Sequence, residues 1–167
     1  MTIALSTDHA GFQRLKELKV WLESKGHECH DFGPADYIAD DDYPDYIAQA
    51  AKAVAAGECS IGIIMGSSGQ GEAMVANRFK GVRCTVYYGP ARPTGPIDAE
   101  GDAPKDEFEI LRLSRQHNNA NMLSLAARFL DQAHIEQAVS IWLETSFSEV
   151  ERHQRRVAKI DSETSGI

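Results

Sequence analysis

Short β-type runs alternate with longer amphipathic segments along this chain. The short runs are rich in apolar or β-branched residues and end at turn-forming positions, which predicts strands. The predicted strands are Thr2–Thr7, Glu28–Phe32, Ile61–Met65, Val82–Tyr88 and Met122–Leu125. In the longer segments apolar residues recur three or four positions apart, which predicts helices. The predicted helices are Phe12–Lys25, Pro44–Gly57, Glu72–Phe79, Asp106–Gln116 and Asp131–Thr145.

This alternation also predicts the architecture. Strands separated by helical crossovers pair in parallel, and right-handed connections place helices on both faces of the sheet. We therefore expect a single three-layer α/β/α domain over residues 1–160, built on a five-stranded parallel sheet. Such sheets bind ligands at the carboxyl ends of their strands, so the residues that follow each strand are the first candidates for a site.

Two segments do not fit this alternation. Gly89–Pro104 contains four prolines and three glycines and has no apolar periodicity. We interpret residues 89–105 as an insert-like loop. Residues 161–167 are polar and are expected to form a frayed tail.

Charge and composition narrow the class of partner. The chain has 17 basic and 25 acidic residues, a formal charge of -8, which argues against nucleic acid or an anionic membrane as the main partner. Its apolar runs are far shorter than a membrane span, and its first residues lack the pattern of a signal peptide. The three cysteines show no CxxC spacing, which favours reduced thiols and a cytoplasmic location.

A glycine- and serine-rich loop follows the third predicted strand. Gly66-Ser67-Ser68-Gly69-Gln70-Gly71 exposes several backbone N–H groups, a geometry that suits a phosphate, a carboxylate or a developing oxyanion. Its spacing matches neither the P-loop nor the dinucleotide-binding motif, and an ordinary strand-to-helix turn is the alternative. Glu72 follows directly. It either stabilises the start of a helix by its charge or acts as a base beside the loop.

Further polar groups lie at other candidate positions. Asp8 and His9 follow the first strand. In Arg152–Arg156, three arginines and a histidine form either an anion site or a solvated helix face. The stretch His27–His30 offers only two metal ligands on one strand face, so we predict no metal.

Together these residues resemble the type B ribose-5-phosphate isomerases, a family that includes the galactose-6-phosphate isomerase subunits. The similarity spans roughly residues 2–160. The matching motifs are Asp8-His9-Ala10-Gly11, Asp42-Tyr43-Pro44-Asp45, the loop ending in Gly71-Glu72, Ala76-Asn77-Arg78, His117-Asn118-Asn119-Ala120 and Arg152-His153-Gln154-Arg155-Arg156. The resemblance implies a Rossmann-like fold, a homodimer or tetramer with active sites shared between subunits, and catalysis without a cofactor or metal.

The resemblance also implies roles for individual residues. Many members use a cysteine base at the start of the glycine-rich loop, but this sequence has Gly66 there. It is therefore similar to the branch in which the glutamate after the loop, Glu72, is the base. The other expected catalytic residues are His117, which opens the sugar ring, Ser68, which helps to stabilise the enediolate, and Asp8, which contacts the sugar. The expected substrate contacts are Asp8, His9, Tyr43, Ser67, Ser68, Gly69, Gln70, Gly71, Asn118, Arg128, Arg152 and Arg156.

The expected reaction is the interconversion of ribose 5-phosphate and ribulose 5-phosphate. The long loop after the fourth strand and the side chain of Gln70 differ from typical members, so a tetrose or hexose phosphate stays open as the substrate. A protein that binds a sugar phosphate without catalysis is the alternative from another class.

Overall fold

The protein folds around a five-stranded sheet in which every pair of neighbouring strands is parallel. The computed structural model describes residues 1–98 and 100–163. The strands lie in the order β2-β1-β3-β5-β4. Their bounds are Thr2–Thr7 (β1), Glu28–Asp31 (β2), Ile61–Gly66 (β3), Cys84–Tyr87 (β4) and Met122–Ala126 (β5). The predicted five-stranded parallel sheet is thereby confirmed.

Helices cover both faces of this sheet. Their bounds are Phe12–Ser24 (α1), Tyr43–Ala55 (α2), Gln70–Ala76 (α3), Glu109–Gln116 (α4), Gln132–Glu144 (α5) and Glu151–Glu163 (α6). Apolar residues of α1, α4 and α5 pack against one face, and those of α2 and α3 pack against the other. Along β3 the side chains alternate accordingly, with Ile63 and Met65 in the first core and Ile64 in the second. The three-layer α/β/α architecture is confirmed.

Two predicted boundaries, the start of α3 and the start of the C-terminal tail, differ from those in the structure. Helix α3 begins at Gln70, two residues before the predicted start, because Gly69 adopts a left-handed conformation (φ 75°) that lets the loop turn directly into the helix. The predicted tail begins too early, since α6 continues to Glu163. Asp161 on this helix forms an ion pair with Arg83 (3.1 Å). The rest of the predicted tail, residues 164–167, lies outside the described residues.

The parallel sheet separates the chain's polar loops into two groups. Segments that follow β1, β3 and β5 lie at the carboxyl edge of the sheet, whereas the segment between α4 and β5 lies at the amino edge. In the described residues, no helix has both the length and the apolar character needed to cross a membrane.

Candidate active site

The glycine- and serine-rich loop is held at the carboxyl edge by β5. The buried Ser124 hydroxyl donates to the carbonyl of Gly69 (2.7 Å). The backbone N–H of Arg128 donates to the carbonyl of Ser67 (3.2 Å). Within the loop, the Ser68 hydroxyl accepts from the N–H of Gln70 (3.4 Å). These contacts fix the path of the loop before α3 begins.

Glu72 projects from the first turn of α3 into the space beside Gly66. Its side chain is buried, with the residue only 4% exposed. A Cβ atom at Gly66 would overlap the Glu72 carboxyl group, so the carboxylate occupies the position that a side chain at residue 66 would take. A glycine at the end of β3 is therefore a steric requirement of this glutamate.

The environment of Glu72 makes it a stronger base than an exposed glutamate. Burial raises its pKa, and the negative charge of Asp8 raises it further, while a backbone hydrogen bond acts in the opposite direction. A carboxylate whose pKa lies closer to neutrality accepts a carbon-bound proton more readily. The site thus contains a buried carboxylate suited to general-base catalysis.

Asp8, His9 and Asp41 meet beside this loop. The Asp8 carboxylate accepts from the N–H of Ala10 (2.9 Å). His9 Nδ1 lies 2.7 Å from Asp41 Oδ1 and 3.7 Å from Asp8 Oδ2. The Tyr43 side chain lies close to Gly71. A Cβ atom added to Gly71 would be only 2.7 Å from the Tyr43 hydroxyl oxygen. These residues therefore lie together beside the loop at the carboxyl edge.

A second group of predicted site residues lies at the amino edge. His117 directly follows α4, and the left-handed conformation of Asn119 (φ 47°) turns the chain towards β5. The His117 ring contacts the ring of His153, with centroids 4.2 Å apart. His153 is buried and is bonded to the Ser148 hydroxyl (2.8 Å). Burial, followed by the charges of His117 and the neighbouring arginines, lowers its pKa.

The amino-edge group encloses a cavity of about 190 Å³. It is lined by Ile97, Asp98, His117, Arg152, His153 and Arg156. Arg152 and Arg156 are one turn apart on α6 and therefore share a face. Arg152 donates two hydrogen bonds, each 2.7 Å, to the carboxylate of Glu100 in the insert-like loop. Asn118 lines a neighbouring cavity of about 470 Å³.

The single chain does not bring all predicted site residues together. Those at the carboxyl edge are Asp8, His9, Tyr43, Ser67, Ser68, Gly69, Gln70, Gly71, Glu72 and Arg128. Those at the amino edge are His117, Asn118, Arg152 and Arg156. The five residues of β5 separate the two edges by roughly 16 Å, which is longer than a pentose phosphate. One chain therefore holds the predicted site residues in two separate groups.

Comparison with known proteins identifies the family of this chain. A family model described as "Ribose/Galactose Isomerase" matches residues 3–92 and 105–160. The chain belongs to this family. The ribose/galactose isomerases are sugar isomerases, so the protein is an aldose–ketose isomerase and an intramolecular oxidoreductase.

Several ribose-5-phosphate isomerases B are similar to this chain in sequence and in fold. The chain is 34% identical over 157 residues to ribose-5-phosphate isomerase B of Mycolicibacterium paratuberculosis, covering 94% of this chain and 87% of that protein. A Clostridium thermocellum ribose-5-phosphate isomerase B has a TM-score of 0.82 and 31% identity, with 97% of this chain and 96% of that chain covered. The Mycoplasma genitalium ribose-5-phosphate isomerase B, solved with bound ribulose-5-phosphate, has a TM-score of 0.84 and 29% identity, with 99% and 97% covered.

The family match interrupts at the insert-like loop. Residues 93–104 lie outside the matched ranges, while the residues on both sides belong to them. Ile97 and Asp98 of this loop nevertheless line the cavity around His117, and Glu100 binds Arg152. The segment that distinguishes this ribose/galactose isomerase from the family pattern therefore touches its amino-edge group.

One group of side chains has the composition of a metal site. Among the described residues, Asp8, His9 and Asp41 each offer a ligand atom, and these atoms lie within 4.8 Å of one another. The His9 Nδ1 atom, however, is already within hydrogen-bond distance of Asp41. Catalysis without a metal stays a prediction, and activity in a chelator tests it.

Sequence reasoning missed three residues that shape the site. Ser124 is an interior strand residue, and its contact with Gly69 depends on the pairing of β3 with β5. In the sequence His153 is only one member of the arginine cluster, whereas in the structure it is buried against His117. Asp41 lies between two exposed aspartates in the sequence, yet its side chain is 3% exposed and binds His9. A carboxylate next to a histidine motif is a weak sequence signal, because the two are 32 residues apart.

Proposed function

We propose that this protein interconverts ribose 5-phosphate and ribulose 5-phosphate through an enediolate, with Glu72 as the base. The observation that carries the proposal is the buried Glu72 carboxylate, which fills the space beside Gly66 next to a loop of backbone N–H groups. The ribose-5-phosphate isomerases B that resemble the chain over nearly its whole length support the choice of substrate.

The reaction divides between the two groups of residues. His117 promotes opening of the sugar ring, while Asp8 and Asn118 bind sugar hydroxyls and Tyr43 lines the sugar-binding site. Glu72 removes the proton from C2 and returns it to C1, and the hydroxyl proton moves from O2 to O1. The Ser68 hydroxyl and the N–H groups of residues 67–71 stabilise the negative oxygen of the enediolate.

The remaining predicted site residues bind the phosphate group of the substrate. His9, Arg128, Arg152 and Arg156 supply positive charge or N–H donors for it. Arg128 extends from the segment after β5, and the two arginines of α6 lie on the other edge. The substrate can contact both groups only if they come from two chains. We therefore propose a homodimer, or a tetramer of two such dimers, in which His117, Asn118, Arg152 and Arg156 of one chain complete the carboxyl-edge group of another.

A panel of aldose phosphates tests the function. Incubation of the protein with ribose 5-phosphate in a chelator should give ribulose 5-phosphate, and deuterium from the solvent should enter the sugar at C1 or C2. Faster turnover of a tetrose or hexose phosphate would transfer the proposal to that sugar, an outcome to which the insert at 93–104 gives weight. Binding without turnover or exchange for any four- to six-carbon aldose phosphate would overturn it in favour of a binding protein.

The phosphate assignment predicts the effect of removing the α6 arginines. Arg152→Ala and Arg156→Ala should each lower kcat/KM about 10- to 100-fold, since a charge-assisted hydrogen bond contributes about 1.5–3 kcal/mol. Arg155→Ala is the matched control, because this neighbouring side chain is 58% exposed and makes only a 3.9 Å contact with Glu151. Steady-state kinetics on the three variants measures this. Unchanged kcat/KM in both Arg152 and Arg156 variants would show that these arginines are surface charges.

Removing the negative charge of Glu100 should improve substrate binding slightly, whereas removing Arg152 or Arg156 should weaken it. The Glu100 carboxylate holds both terminal nitrogens of Arg152, which a phosphate would also use. Since an exposed ion pair contributes only about 0–1 kcal/mol, Glu100→Gln should lower KM by no more than about fivefold and leave kcat unchanged. An increase in KM would instead indicate that Glu100 orients Arg152 for the substrate.

A further inference from the structure

Asp41 differs from its acidic neighbours in the loop that precedes α2. Asp40 and Asp42 are exposed, whereas the Asp41 side chain is only 3% exposed. Burial of a carboxylate is costly unless hydrogen bonds or an opposite charge compensate it. A buried carboxylate in an otherwise solvated loop therefore needs a specific partner.

His9 is that partner. Asp41 Oδ1 accepts a hydrogen bond from the backbone N–H of His9 (3.1 Å) and lies 2.7 Å from His9 Nδ1. Among the described residues, no group forms a hydrogen bond with the buried Oδ2 atom. The contacts that compensate the burial of Asp41 thus come from one residue, through its main chain and its ring.

The surroundings of His9 leave its other ring nitrogen for a ligand. Asp8 lies on the Nδ1 side, with Oδ2 3.7 Å from that atom. The Tyr37 ring is nearly perpendicular to the His9 ring, with centroids 6.5 Å apart. The His9 side chain keeps 26% of its surface exposed. With Nδ1 committed to Asp41, Nε2 is the ring atom that can meet a substrate.

We propose that Asp41 is a positioning residue that holds the His9 ring so that its Nε2–H donates to the substrate phosphate. The proposal rests on the proposed function, which places the phosphate at His9. An imidazole that donates from Nδ1 to Asp41 can donate from Nε2 only when both nitrogens carry protons. In that form the ring donates to an anion at each nitrogen, to Asp41 on one side and to the phosphate on the other. Asp41 thereby contributes to substrate affinity without touching the substrate.

Asp41→Asn separates this role from a structural one, because the amide oxygen can still accept from the His9 N–H. We expect KM for ribose 5-phosphate to rise about tenfold, as for the loss of one charge-assisted hydrogen bond, with kcat within about threefold of wild type. The inhibition constant of inorganic phosphate should rise by the same factor. Asp40→Asn is the matched control, because it removes the same charge from an exposed position in the same loop.

A double-mutant cycle with His9→Gln completes the test. If Asp41 acts through His9, Asp41→Asn should have little further effect on KM or phosphate binding in the His9→Gln protein. An equal effect in both backgrounds, or an unchanged KM in Asp41→Asn, would overturn the proposal. So would a lower kcat and melting temperature with normal phosphate binding, which would indicate that Asp41 only holds the loop.

The phosphate readout keeps this proposal separate from the proposed function. Calorimetry with inorganic phosphate on wild type and Asp41→Asn needs no turnover. If no sugar phosphate is isomerised but phosphate binds wild type about tenfold more tightly than the variant, the isomerase function fails and the role of Asp41 stands. If wild type binds neither inorganic phosphate nor ribose 5-phosphate, the role of Asp41 fails as well.

Discussion

Glu72→Gln should reduce kcat for ribose 5-phosphate by about 100- to 10,000-fold, the usual contribution of a general base. Glutamine has nearly the same shape as glutamate and fits the same space beside Gly66, so the substitution removes the basic oxygen and keeps the packing. Binding of inorganic phosphate should stay close to that of wild type. Steady-state kinetics and phosphate titration on the same preparation measure both quantities.

The Glu72→Gln protein should be at least as stable as wild type, although it loses catalytic activity. Because burial raises the pKa of Glu72 in the folded protein, ionisation of this group opposes folding. That cost develops as the pH rises from the ordinary value of 4.5 through the raised value, and it is constant above both. Glu72→Gln removes the cost, so its melting temperature at neutral pH should equal or exceed that of wild type. The difference should shrink as the pH falls towards 4.5.

A different result would assign Glu72 a structural role only. A glutamate that merely stabilises the start of α3 predicts a small loss of stability in Glu72→Gln, about 0.3–1 kcal/mol, with near-normal turnover.

Alkylation of wild type is a control for thiol catalysis. Burial raises the pKa of all three cysteines, that of Cys29 to about 11, so they react slowly and activity should survive the treatment.

Gly66→Ala should lower kcat by about 100-fold, although residue 66 itself has no functional group. The new Cβ would overlap the Glu72 carboxyl group, so the carboxylate must move away from its position over the loop. A displacement of about 1 Å in a catalytic group can cost about 100-fold in rate. Kinetics with ribose 5-phosphate, together with circular dichroism to confirm the fold, measures the effect.

Gly95→Ala is the matched control for this substitution. A Cβ at Gly95 would meet nothing within 4 Å, so activity should be unchanged. If Gly66→Ala were as active as Gly95→Ala, the carboxylate position seen in the structure would not be the catalytic one.

The sequence predicts the sheet and both helical layers well because these depend on local patterns. The apolar run Ile61–Met65 can only be a buried strand in this context, and the periodic positions of Asp131–Thr145 fit a helix that covers a core. The glycine- and serine-rich loop and Glu72 are adjacent in the chain, so their proximity also follows from sequence. These features need no knowledge of long-range packing.

The parts that sequence could not predict depend on tertiary contacts. The position of the Glu72 carboxylate beside Gly66 requires the turn at Gly69, which brings a side chain back over a residue six positions earlier. The link between Asp41 and His9 requires two loops to meet across the ends of β1 and α2. The ion pair of Glu100 with Arg152 joins an irregular loop to α6, and no periodicity predicts its path.

Two inactive variants test together whether two chains build one isomerase site around Glu72. Glu72→Gln damages the carboxyl-edge group and His117→Ala damages the amino-edge group. After the two proteins are unfolded, mixed and refolded, half of the dimers should contain one chain of each kind, with one damage-free site per mixed dimer. If two chains build one site, the mixed variants should regain about a quarter of wild-type ribose 5-phosphate isomerisation. A mixture that forms mixed dimers and yet stays as inactive as its components would contradict it.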